Sequence, residues 1–160
     1  MSSQPGKPFI IALEEHYADP AVHEHTKSAG GMGQGTMPGG MYAKLLPRLT
    51  DLGERRLKEM DEAGIDVQVI SHAPSAIQQV PAETSVKLAR AANDRLQDAI
   101  LRHPARFAGF AALPTPDPAA ASEELERCVT RLGFKGAMIH GRTQGLFHDH
   151  RKFWPVFERA

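Results

Sequence analysis

The feature that most constrains this chain is an alternation of short apolar runs with amphipathic stretches, repeated along its length without repetition of sequence. Phe9 to Leu13 suits a buried strand, and Asp66 to Ile70 forms a second that ends at Ser71, His72 and the breaker Pro74. Phe107 to Leu113 is a third, closed by Pro114 and Pro116, and Lys135 to His140 a fourth. Between them lie helical patterns. Asp51 and Glu54 open one, with Leu57 and Met60 on one face and Gly64 as its stop. Ala89, Ala92, Leu96, Ala99 and Ile100 mark the next, ended by Pro104. Asp117 and Pro118 start a third whose buried stripe is Leu125, Val129 and Leu132, and Phe153 to Phe157 lies in a fourth.

Strand and helix in alternation specify a parallel sheet with helical crossovers, either an open doubly wound sheet or a (β/α)8 barrel. A dinucleotide-binding open sheet wants G-x-G-x-x-G after its first strand, whereas this strand runs into Glu14-Glu15-His16. A full barrel takes about 250 residues. The 160 residues here predict an α/β fold of TIM-barrel type with only the first four β-α units, a half barrel with two open sheet edges.

Composition narrows the function. With 19 basic and 19 acidic side chains the formal charge is zero, so nothing draws the chain to nucleic acid or to an anionic membrane. No apolar run reaches about 18 residues and the first nine residues lack a signal-peptide core, so the expectation is one soluble, cytoplasmic unit over residues 1–160. Six of the eleven residues from Gly30 to Gly40 are glycine, and residues 28–48 read as a flexible Gly/Met-rich loop carrying Met32, Met37 and Met41. Cys128 is the single cysteine, which excludes an intramolecular disulfide and leaves metal binding to His, Asp or Glu. Its place beside Leu125 and Val129 reads as a small buried hydrophobe.

In a strand, side chains two apart share a face, so Glu14 and His16 point together and Glu15 away. Carboxylate plus imidazole suits a divalent ion such as Zn or Mn, and barrel enzymes gather catalytic groups at strand ends. The competing reading is a solvated strand end. His72 and His140 also fall at predicted strand ends, which favours a site, against a backbone-bonded loop residue for His72 and a packed strand end for His140. His23, His25, His148 and His150 lie in predicted loops and read as solvated. Ser71 and Ser75 lack the context of a hydrolase nucleophile.

Taken in order, Ala12-Leu13-Glu14-Glu15-His16, Met60-Asp61-Glu62-Ala63-Gly64-Ile65-Asp66, Ala91-Ala92-Asn93-Asp94, Arg106 to Pro114 and Gly133 to Ile139 resemble the amidohydrolase-related superfamily. The likeness is to its decarboxylase branch, which includes γ-resorcylate and 2,3-dihydroxybenzoate decarboxylases. The resemblance implies a distorted (β/α)8 barrel with one divalent ion, Zn or Mn, held by a Glu and a His on the first strand, a second His after strand five and a late Asp. Glu14 and His16 match the first pair. Glu-x-His in that place implies non-oxidative decarboxylation of a hydroxylated aromatic acid, where hydrolase and hydratase branches carry His-x-His. Phe153 to Glu158 resembles the family's fourth helix. The resemblance therefore puts the other ligands and the proton-donating Asp beyond Ala160, and no catalytic acid is assigned within the chain. His140, where relatives carry Asn, and His72 are candidate substrate contacts.

The alternatives are a metal-dependent amide or lactone hydrolase on the same scaffold, or a non-catalytic half barrel that needs a partner. Expected partners are a small aromatic acid and either a second copy of the chain or a complementary half. With two ligands the isolated chain should hold metal weakly and show negligible activity.

Overall fold

The computed structural model describes residues 6–27, 41–73 and 76–160. Strand β1 (Ile11–Tyr17) pairs in parallel with β2 (Val67–His72), which pairs in parallel with β3 (Phe107–Gly109). Strand β4 (Ala111–Ala112) pairs in parallel with β5 (Ala137–Met138). The expected third strand, Phe107 to Leu113, is thus split at Phe110. Its first half faces β2 and its second half faces β5. The Phe110 N–H donates to Ile70 C=O at 2.9 Å, and Lys135 N–H to Gly109 C=O at 2.9 Å, so hydrogen bonding runs on through the break. An antiparallel hairpin of β6 (Arg142–Thr143) and β7 (Leu146–Phe147) follows.

Two elements depart from expectation most. Strand β1 runs on to Tyr17, so Glu14, Glu15 and His16 lie inside the strand rather than after it. Helices α1 (Pro20–Lys27) and α2 (Met41–Leu49) occupy sequence read as loop; α1 carries His23 and His25. The loop expected over 28–48 gives way to helix at Met41. Residues 28–40, with Met32 and Met37, lie outside the described residues, as does Ser75.

The helix ends follow the sequence closely. In α3 (Glu54–Ala63), Asp51 Oδ1 accepts from the N–H of Gly53 and of Arg56, and Gly64 closes the helix at φ +71°. Short α4 (Ala76–Gln79) leads to α5 (Ala82–Arg102). Asp117 caps α6 (Pro118–Thr130) by accepting from Ala120 N–H at 3.1 Å, with Pro118 in the first turn. A 3-10 turn (Arg151–Phe153) precedes α7 (Trp154–Arg159).

The core forms where one face of the strands meets α3, α5 and α6, around Met60, Ile70, Leu96, Phe107, Leu125 and Cys128. Val129, expected in the α6 stripe, is exposed; Phe134 packs inward below it instead. A buried polar layer stitches the helices to the strands. Asn93 on α5 donates to Ala112 C=O at 3.0 Å and accepts from Ala112 N–H at 2.9 Å, completing the strand's backbone pairing from a side chain. The same amide donates to Glu124 Oε1 at 2.8 Å, and Arg127 closes a two-pronged pair on that carboxylate. Among the described residues no helix is long and apolar enough to cross a membrane.

Candidate metal and substrate site

The candidate site sits near the carboxyl ends of the parallel strands. In the β1–β2 register Ala12 faces Gln68 and Glu15 faces Ile70, so Leu13 and Glu14 together oppose the single residue Val69. This is a β-bulge, a device that re-aims side chains at a strand end. Simple alternation placed Glu14 with His16 and missed the bulge. Beyond it the register is regular: His16 lies opposite Ser71, and Tyr17 opposite His72.

His16 is half-buried, and its Nδ1 lies 2.8 Å from Ser71 Oγ. When Nδ1–H donates to that hydroxyl, the lone pair of the ring falls on Nε2. Burial, then the neighbouring His140, holds the imidazole below its usual pKa of 6.5 against the opposite pull of Glu14 and Glu15. A neutral imidazole oriented through its other nitrogen is the state in which histidine binds metal. The buried Arg56 fixes the strand behind it, donating to His16 C=O at 2.8 Å, Asp51 C=O at 2.8 Å and Gln68 Oε1 at 3.2 Å. A cleft of about 400 Å³ opens between β1, α2 and α3, lined by Glu14, Glu15, His16, Arg48 and Arg56 among others.

The other two strand-end histidines separate. His140 comes within 6.2 Å of His16, ring centre to ring centre, and its Nε2 donates to His72 C=O at 3.1 Å. His72 is buried with its ring edge-on to Tyr17 and its Nε2 accepting from Asp19 N–H at 3.2 Å. Burial first, then His140 and His16, pushes its pKa down to about 3, so it stays neutral. A ring so enclosed and bonded braces the turn after β1.

His148 also differs from expectation. It is half-buried and bonded to Thr143 Oγ1 at 3.0 Å, and burial lowers its pKa. His150 caps the following turn by accepting from Lys152 N–H. Ser71, Arg56 and Gln78 belong to the site but carry no motif; only the later register shows them. Among the described residues no three His, Cys, Asp or Glu side chains converge as a metal cage. Glu14 and His16 fit a divalent ion in donor chemistry, as two ligands of a larger set.

Comparison with known proteins bears on this arrangement. The Amidohydrolase family profile (Amidohydro_2) matches residues 20–160. The chain is 41% identical to the γ-resorcylate decarboxylase of Rhodococcus jostii, over 93% of this chain and 47% of that protein. It is similar in structure to a manganese-bound 5-carboxyvanillate decarboxylase of Novosphingobium aromaticivorans, with TM-score 0.84 and 32% identity over 94% of this chain and 47% of the other. It is also similar to a dihydroxybenzoic acid decarboxylase of Polaromonas sp. JS666 bound to manganese and the inhibitor 2-nitroresorcinol. That match has TM-score 0.82 and 38% identity, over 96% of this chain and 46% of the other. These neighbours are TIM-barrel enzymes. The chain spans about half the length of the relatives it matches. On both the sequence match and the structural likeness, this chain belongs to the amidohydrolase family.

Proposed function

We propose that these residues form the first four β-α units of a (β/α)8 barrel whose reaction is the non-oxidative decarboxylation of a hydroxylated aromatic acid. The observation that carries the reading is the Glu14/His16 pair on β1, with His16 set by Ser71 to present Nε2, in a chain 41% identical to a γ-resorcylate decarboxylase. Glu14 and His16 would hold one divalent ion, manganese or zinc, with further ligands drawn from the length of the relatives that this chain does not span. A bound ion supplies Lewis acidity and a template for the substrate's carboxylate and adjacent hydroxyl.

This chain's residues hold and orient. Arg56 locks the His16 backbone, Ser71 fixes the ring, and His140 stands beside it. In the reaction the ring carbon bearing the carboxylate gains a proton, the bond to the carboxyl carbon breaks, and its electron pair returns to the ring as CO2 leaves.

The test is CO2 release by the protein translated from the full reading frame containing these residues, given Mn2+ and a panel of hydroxybenzoates and lactones. Release from a hydroxybenzoate, abolished by His16→Ala, is the expected result. Lactone opening without CO2 release sinks the reading and favours a hydrolase. The 160-residue chain alone, with two protein ligands, is expected to bind Mn2+ weakly and to turn over negligibly.

A further inference from the structure

Helix α4 carries two adjacent glutamines whose side-chain amides cross to the segment after β5. Gln78 is 4% exposed. Its Oε1 accepts from His140 N–H at 2.8 Å, and its Nε2 donates to His140 C=O at 2.8 Å. An amide paired with both backbone groups of one residue replaces a missing strand neighbour and fixes the frame from which the side chain departs. The same Nε2 reaches Thr143 Oγ1 at 3.2 Å. Thr143 in turn bonds Thr115 and His148. Gln79 repeats the device one step on, donating to Arg142 C=O at 2.7 Å and accepting from Gln144 N–H at 3.2 Å.

The direction of the His140 ring follows from its own bond. Because Nε2 donates to His72 C=O, the neutral ring carries its lone pair on Nδ1. With the two ring centres 6.2 Å apart, one small ligand held at His16 reaches both imidazoles. A lone pair in that place accepts from an O–H group and repels a carboxylate.

We propose that Gln78 is a positioning residue that fixes His140 so that its Nδ1 accepts a hydrogen bond from a phenolic hydroxyl of the aromatic ligand. The clamp makes a ring hydroxyl, rather than a second carboxylate, the feature read by the loop after β5. The inference takes its ligand from the decarboxylase reading, while the clamp itself stands on the geometry.

Two measurements separate the two, the first on the 160-residue chain and the second on the protein translated from the full reading frame. In the metal-free protein, long-range 15N NMR should show His140 as a single Nε2–H tautomer with a ring-to-ring NOE to His16. Gln78→Ala should lose both while the amide signals of β1 and β2 persist. The isosteric Gln78→Glu, which keeps the acceptor and loses the donor, should show the same loss and serves where alanine unfolds the loop. Persistence of the tautomer and the NOE in the variants overturns the clamp. In the protein translated from the full reading frame, with Mn2+ added, binding of 2-nitroresorcinol, followed by its absorbance, should weaken roughly tenfold in the Gln78 variants while Mn2+ affinity by EPR stays within about twofold. Unchanged 2-nitroresorcinol binding overturns the proposed contact. A full-length protein that holds Mn2+ but takes up no 2-nitroresorcinol with Gln78 intact sinks the decarboxylase reading, and the NMR result still decides the clamp.

Discussion

At the scale of single residues, Ser71 tests the proposed metal pair. It contributes no ligand, yet its hydroxyl decides which imidazole nitrogen of His16 is free. Loss of such a partner typically weakens metal binding 10- to 100-fold. Ser71→Ala should therefore raise the Mn2+ dissociation constant roughly tenfold by EPR titration, and His16→Ala should remove binding altogether. Unchanged affinity in Ser71→Ala would show that the ring finds its orientation elsewhere. Glu14 and His16 were picked out in the sequence by a strand's period of two, which the bulge over Leu13 and Glu14 interrupts in the fold. Ser71 was not, since its relation to His16 rests on parallel register between positions 55 apart in the chain. Glu124 gives a residue-scale prediction in pH. Burial raises its pKa, but the bonds from Arg127 and Asn93 outweigh that and hold it below the ordinary 4.5. A carboxyl whose native pKa lies below its unfolded value adds stability that is fully present above about pH 4.5 and is lost as pH falls through the native value. Urea midpoints measured at pH 7 and pH 3.5 should drop further for the wild type than for Glu124→Gln. Parallel losses in the two proteins would mean that this carboxylate does not carry the acid sensitivity.

At the scale of elements, the joint between α5, α6 and β4 depends on Asn93. Its amide satisfies both backbone groups of Ala112 and one oxygen of Glu124, all buried. Asn93→Ala leaves those groups without partners and should cost roughly 2–4 kcal/mol. Urea unfolding at pH 7 measures it, and a loss below roughly 1 kcal/mol would mean that water takes the amide's place. Helices α3, α5 and α6 were readable from the sequence because each announces itself twice, by apolar spacing inside and by a cap or a proline stop at its end. Helices α1 and α2 carry no such double signal: α1 has a cap, with Asp19 accepting from Ala21 and Val22 N–H, but no apolar stripe, and α2 holds Pro47 inside it beside glycine-rich sequence. The break at Phe110 was hidden for a different reason. An apolar run records that a segment is buried, not that its two halves serve different neighbours.

For the whole molecule, the decisive property is an open edge. Among the described residues β1 pairs on one side only, with β2, and the chain around it exposes Phe9 at 70%, Ile11 at 52% and Leu13 at 57%. An apolar edge strand with free backbone groups is a template for another strand. Net charge offers no counterweight, since 19 basic side chains balance 19 acidic ones and self-repulsion is small near neutral pH. A polypeptide of these 160 residues should therefore self-associate at tens of micromolar, and light scattering should report a mass well above 17.5 kDa. Placing lysine on the edge in Ile11→Lys/Leu13→Lys should return the mass to that of the monomer without disturbing the Asn93–Ala112 joint, because both positions face away from the core. The circular dichroism of variant and parent should match. A parent chain that stays monomeric up to about millimolar concentration would show that the edge is covered from within.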